Sequence, residues 1–253
     1  MTFRSLAAAG ALLALLLTTP ESQVAAAGAP DSTAFGGASR VGAIFGASPD
    51  RPDHHFCSGA VVDSPTRNIV VTAAHCVMAP GSGRARGGLT FVPGYHEGAR
   101  PFGTWSVATV VADSEWTVQG SQDSDVAFLI LRPDASGRRI QDVAGAEALA
   151  FNPAGGSAAV AVGYPSRTDQ PVFCSSRLQR FTSHQFEFDC PGLPGGTSGA
   201  PLLLDTAPGD RGHGTVAGVI GGYEEGGDSN DVSYATYFGP SVAAVYRAAV
   251  SWG

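Results

Sequence analysis

The chain predicts an all-β fold. It has 34 glycines and 17 prolines in 253 residues, and only 15% of the residues are charged. Its apolar residues fall in short runs, many β-branched, separated by turn residues. Such a pattern favours many short strands joined by turns over long helices. The length suits one large domain or two small ones, and all-β folds of this size often count as one. It is enough chain to bury a real core.

The elements follow in order. Arg4 heads an apolar stretch from Leu6 to Leu17, too short to span a bilayer, and Ala25-Ala26-Ala27 offers a small-residue cleavage site. Residues 1–27 therefore read as a signal peptide, which predicts a secreted, extracellular protein with no membrane attachment after cleavage. Cleavage removes Arg4 and Glu21, one charge of each sign, so the net charge stays at −7. Residues 28–40 are small and polar and read as a flexible lead-in or short propeptide, with Arg40 as a candidate processing site. Residues 41–45 form the first strand. Residues 54–63 and 68–72 form two more, joined by a Ser64-Pro65 turn, and Ala73-Ala74-His75-Cys76 ends the second. Further strands are expected at 89–92 and 105–111. The unbroken apolar run 126–131, entered through Asp123-Ser124-Asp125, reads as a buried strand. A polar, alanine-rich connection over about 133–148 separates two halves. Strands at 158–163, 172–174 and 186–190 follow, then a glycine-lined loop, then strands at 202–204 and 216–220. Ser241 can cap a final helix over 242–250.

All fifteen basic residues are arginine, and the net charge of −7 argues against nucleic-acid binding, which relies on basic patches. Four cysteines lie in the exported part, where disulfides persist. If the strands at 54–63 and 68–72 pair as a hairpin, Cys57 and Cys76 fall near each other. A bridge there would contribute about 3 kcal/mol by the chain-entropy estimate. Cys174 and Cys190 suggest a second bridge, bracing the glycine loop eight residues on. The spacings lack the close Cys-x-x-Cys pairs of structural zinc sites. The acidic turn Glu224-Glu225-Gly226-Gly227-Asp228 lacks the spacing of an EF-hand. Neither metal nor cofactor is expected.

The chemistry centres on Pro194-Gly195-Gly196-Thr197-Ser198-Gly199-Ala200-Pro201. Glycines let a backbone approach a bound group closely and adopt conformations closed to other residues. A serine held there suits a nucleophile beside an anion-binding hole of backbone N–H groups. His75, at a strand end beside a bridged cysteine, is well placed as a base. Asp125 abuts a buried strand and is a better candidate than Asp123 to partner a histidine. Nucleophilic acyl transfer needs this set: a base within reach of the serine and an acid to fix the base's tautomer.

Thr72-Ala73-Ala74-His75-Cys76, Asp125-Val126-Ala127-Phe128-Leu129 and Gly196-Thr197-Ser198-Gly199-Ala200-Pro201 together resemble the chymotrypsin-like (trypsin-like) serine peptidases. The flavour is that of the bacterial secreted branch that includes the glutamyl endopeptidases, and the likeness runs over about residues 41–250. It implies a peptidase domain over 41–253: two six-stranded antiparallel β-barrels, over about 41–135 and 148–240, and a C-terminal helix over about 241–250. It further implies catalysis by His75, Asp125 and Ser198 in the cleft between barrels, and an oxyanion hole from the N–H groups of Gly196 and Ser198. The implied partner is a protein or peptide substrate, cleaved by a monomer.

Three departures from the family pattern carry information. Thr197 stands where the animal digestive enzymes have an aspartate that pairs with a newly cut N-terminus. Gly221 stands where a serine often supports the acid. The stretch Val219-Ile220-Gly221-Gly222-Tyr223 lacks the histidine of glutamate-specific members. Gly221, Gly222 and Tyr223 are the candidate substrate-pocket residues, with Tyr223 expected to narrow or reshape the pocket.

Two look-alikes fail. His213-Gly214-Thr215 resembles the subtilisin histidine motif but follows Ser198, the wrong order for that family. An α/β-hydrolase elbow needs glycine where Ala200 stands. A catalytically silent, protease-like binding module is the alternative from another class.

Overall fold

The computed structural model describes residues 1–2, 31–46 and 54–253. Apart from its first two residues, the expected signal segment lies outside the described residues. β1 (Thr33–Ala34) precedes the first barrel, which comprises β2 (Val41–Phe45), β3 (His55–Val62), β4 (Ile69–Thr72), β5 (Thr90–Pro93), β6 (Trp105–Ala112) and β7 (Ala127–Leu131). These six close in the order β2-β3-β4-β7-β6-β5, every neighbour antiparallel, with β2 pairing both β3 and β5.

The second half contributes β8 (Ala148–Leu149), β9 (Ala158–Gly163), β10 (Val172–Arg180), β11 (Gln185–Asp189), β12 (Pro201–Leu204), β13 (Thr215–Ile220) and β14 (Val232–Tyr237). The ring β9-β10-β11-β14-β13-β12 closes because β9 pairs both β10 and β12. β8 lies parallel along β13, and β1 pairs antiparallel with β10. Both expected six-stranded barrels are present.

The continuous apolar runs have a physical cause in the packing. Successive side chains of a strand point to opposite faces, and here both faces are buried. In β4, Val70 points into the first barrel, while Ile69 and Val71 face a core shared between the barrels. In β7, Leu129 and Leu131 fill the barrel and Phe128 turns to the shared core. β9 does the same in the second half, with Ala159 and Ala161 inside and Val160 and Val162 outside. A strand buried on both faces loses the polar alternation of a half-solvated one.

α1 (Ala74–Val77) is one helical turn where the sequence predicted only the end of a strand, and α2 (Ile140–Ala144) lies within the polar connection, burying Ile140. α3 (Pro240–Trp252) starts earlier than expected: Gly239 takes the cap position, Pro240 opens the first turn, and no side chain caps it. Proline suits that place because its missing N–H would be unpaired anyway. Val242, Val245 and Ala249 bury in the shared core, and the Tyr246 hydroxyl donates to the Asp63 carbonyl at 2.7 Å.

From Asp31 the N-terminal segment is docked on the second barrel. Ser32 donates from its backbone to Pro191 O (2.8 Å) and from its hydroxyl to Gly192 O (2.6 Å). Phe35 packs edge-on against Phe173. Arg40 pairs at 3.3 Å with the fully buried Glu147.

Candidate active site

Three local structures converge at the cleft. β4 delivers the chain through buried Ala73 into α1, whose first turn carries His75. The next residue, Cys76, is bridged to Cys57 on β3, with Cα atoms 6.1 Å apart. Asp125 follows a 3-10 turn over Gln122–Ser124 and sits, wholly buried, at the entry to β7. β4 and β7 are hydrogen-bonded neighbours, with Thr72 opposite Ala127. Residues fifty apart in sequence therefore meet at one end of one strand pair.

The Asp125 carboxylate accepts three N–H bonds. Oδ1 takes the backbone N–H of His75 at 2.8 Å, and Oδ2 takes the ring Nδ1 of His75 at 2.7 Å. Oδ2 also takes the backbone N–H of Gly222 at 2.8 Å. With its proton on Nδ1, the imidazole keeps Nε2 as the acceptor nitrogen. A Cβ on Gly221 would stand 2.9 Å from Asp125 Oδ2 and 3.0 Å from Ala73 Cβ. The acid is thus supported by the backbone of Gly222, not by a side chain at 221.

Sequence reasoning missed Gln185, which is buried on β11. Its Nε2 donates to Gln122 O at 2.9 Å and to Asp123 Oδ1 at 3.2 Å, tying the turn before Asp125 to the second barrel. A Cβ on Gly222, whose φ is +86°, would lie 2.2 Å from Gln185 Oε1, so this position requires glycine.

The serine loop is seated by Ser58, also missed. Ser58 Oγ donates to Gly196 O at 3.0 Å and accepts the Tyr164 N–H at 2.8 Å. Ser58 N–H donates to Ser198 O at 2.7 Å. Gly199 passes so close to β3 and β4 that a Cβ there would stand 2.2 Å from both Ser58 O and Thr72 Oγ1. The half-buried Ser198 is thus held through its carbonyl by Ser58, the residue after Cys57, whose bridge partner Cys76 adjoins His75. No hydrogen bond joins Ser198 Oγ to the ring; Nε2 lies 3.8 Å from Cys76 Sγ. Catalytic contacts are often long without substrate and tighten in the complex. Among the described residues, the backbone N–H groups of Gly196 and Ser198 have no internal acceptor. Thr197 is buried and its hydroxyl donates to Pro194 O at 2.8 Å, so the loop itself satisfies it.

The second bridge joins Cys174 to Cys190. Cys57, His75 and Cys76 bring three potential ligand atoms within 4.8 Å of one another, but both sulfurs are in the disulfide and offer no thiolate for a metal.

A model of the trypsin-like peptidase domain matches residues 57–209. The chain belongs to this family. As a member, it is a hydrolase of the serine endopeptidase type. No curated protein sequence matches it. Among solved structures it is similar to protease Anisep from Arthrobacter nicotinovorans, at 26% identity and a TM-score of 0.74, over 87% of this chain and 99% of that one. A thermostable serine protease, AL20, from an extremophilic microorganism matches at 25% identity and a TM-score of 0.74, over 85% and 99%. A Glu endopeptidase shares the fold at 16% identity and a TM-score of 0.69, over 88% and 98%.

In this peptidase Gly221 and Gly222 lie against Asp125, while Tyr223 is exposed in a ring cluster, 5.4 Å from Phe181 and 4.9 Å from Tyr234 between centroids. The look-alike His213 pairs with Asp210 at 2.9 Å on the loop between β12 and β13.

Burial opposes protonation of His75, but the hydrogen bond and charge of Asp125, with Glu225 adding to them and Arg86 opposing, leave its pKa raised above the ordinary 6.5. A base must be neutral to accept a proton. Activity is therefore expected to fall on acidification at a higher pH than for a free imidazole. Glu225→Gln should move that acid limb of the kcat/KM profile to lower pH, and the displacement should shrink at high salt, because the residue is exposed. By linkage, the protonated ring contributes stability below the free-imidazole pKa that is lost as pH rises through the raised one.

Proposed function

We propose that this is a secreted endopeptidase that hydrolyses peptide bonds through His75, Asp125 and Ser198 with an acyl-enzyme at Ser198. The observation that carries the reading is the double grip of Asp125 on the backbone N–H and Nδ1 of His75. It orients the ring, sets its tautomer and stabilises its charged form.

Ser198 Oγ attacks the scissile carbonyl carbon while its proton passes to His75 Nε2. The carbonyl oxygen, now negative, is received by the N–H groups of Gly196 and Ser198; losing one such donor typically costs about 3 kcal/mol in the transition state. The C–N bond breaks, and the departing amine takes the proton from His75. Water then attacks the Ser198 ester, giving its proton to His75. The ester bond breaks, the proton returns to Oγ, and the carboxylic acid product leaves. The substrate is a protein or peptide, the acting species a monomer outside the cell, and no cofactor enters the cycle.

A fluorophosphonate probe tests this. The mature folded protein should be labelled covalently, and Ser198→Ala should abolish labelling. Absence of labelling in the wild-type protein would sink the proposal and favour the silent binding module. That second reading draws on the unformed bond between Ser198 and His75, and on a likeness in fold to human heparin binding protein (18% identity, TM-score 0.60, 85% of this chain and 91% of that one).

A further inference from the structure

The Gly195–Gly196 peptide is the least constrained part of the serine loop by composition and a demanding part by role. Gly195 is exposed, and a Cβ there would meet nothing within 4 Å. Gly196 has a φ of +102°, which few other residues adopt. A peptide plane between two glycines can rotate as a unit with little steric opposition. In one orientation its N–H faces the cleft. In the other its carbonyl does, presenting an acceptor where a negative oxygen has to form.

Two donors act on that carbonyl, both from one residue. The backbone N–H of Ser166 donates to Gly195 O at 2.9 Å, and Ser166 Oγ donates to the same oxygen at 3.0 Å. No described peptide bond is cis, and in a planar trans peptide the carbonyl and N–H point in opposite directions. A carbonyl drawn toward Ser166 therefore turns the Gly196 N–H away from it.

Ser166 is itself well anchored. Pro165 O accepts a hydrogen bond from the buried His55 Nε2 at 3.0 Å. Tyr164, wholly buried, donates its hydroxyl to Val41 O at 3.2 Å. A Cβ on Gly196 would stand 2.2 Å from Ser166 N, so the close approach of the two segments needs that glycine.

We propose that Ser166 is a positioning residue, whose two donors hold the Gly195–Gly196 peptide with the Gly196 N–H turned into the cleft, ready for the oxyanion. It touches no reacting atom and acts through the peptide it orients. The role rests on the acyl-transfer reading above.

Ser166→Ala removes the hydroxyl and keeps the backbone donor, and Ser166→Thr restores a hydroxyl. Kinetics on a peptide amide should show kcat lowered about tenfold in Ser166→Ala, by the loss of one hydrogen bond, with KM within about twofold of wild type. Ser166→Thr should recover most of the loss. A peptide aldehyde, which forms a hemiacetal oxyanion with Ser198, should bind more weakly to Ser166→Ala by the same factor as kcat falls. The corresponding peptide alcohol, which forms none, should bind unchanged. A purely structural role would weaken both inhibitors together and lower the melting temperature. Wild-type kcat in Ser166→Ala, or equal losses for aldehyde and alcohol, overturns the inference while leaving the peptidase reading intact. A wild-type protein that neither labels with fluorophosphonate nor hydrolyses peptides overturns both.

Discussion

His75→Ala should lower kcat on a peptide amide by about a million-fold, the scale seen when the base of such a triad is removed, with KM changed little. Every proton transfer in the proposed cycle passes through Nε2: from Ser198, to the leaving amine, from water and back to Ser198. No described side chain is hydrogen-bonded to Ser198 Oγ, so without the imidazole the hydroxyl would keep its proton and stay a poor nucleophile. The residual rate should come from binding and from the N–H groups of Gly196 and Ser198, and should lose its acid limb. The fold should survive. The Asp125 carboxylate would keep its backbone donors at positions 75 and 222 and lose only the ring, at a cost of about 2 kcal/mol for a bond to a charged group, read as a lower melting temperature. A loss smaller than about a hundred-fold would mean that another group serves as the base.

Asp125→Asn should lower kcat/KM by about four orders of magnitude, the scale of the wrong-tautomer effect in such triads, without abolishing the fold. The carboxylate accepts from His75 N–H on Oδ1, and from the ring Nδ1 and Gly222 N–H on Oδ2. An amide has one accepting oxygen and two donor hydrogens, so it cannot meet all three. If its oxygen stays on the ring side, its NH₂ opposes the His75 N–H. If it turns over, the NH₂ faces Nδ1, the ring must place its proton on Nε2, and the base can no longer accept from Ser198. Fluorophosphonate labelling should slow in step with hydrolysis. Near-wild-type labelling would show that the acid does not set the tautomer.

The sequence carried more of this molecule than its length of loop suggests, for reasons visible in particular elements. The run at 126–131 reads as a buried strand because both its faces are covered, and β7 occupies nearly that span. β10 shows the opposite case. Only its first residues looked like strand, yet it extends to Arg180, because the pairing with β9 and β11 overrides a polar sequence there. The single turn of α1 was likewise invisible, since Ala74–Val77 carries no capping side chain.

At the candidate site, the side chains proposed to do chemistry were legible in the sequence and the backbone that supports them was not. His75, Asp125 and Ser198 stand in motifs whose residue types are dictated by proton transfer, so the sequence by itself singled them out and ordered them. The Gly222 N–H on Asp125, the Ser166 donors on Gly195 and the Gln185 tie between barrels involve peptide groups or polar residues with no local signature. Every non-proline residue has the same N–H, and which way it points depends on the closure of two barrels against each other. That closure, and the donor directions it imposes, belong to the tertiary structure alone.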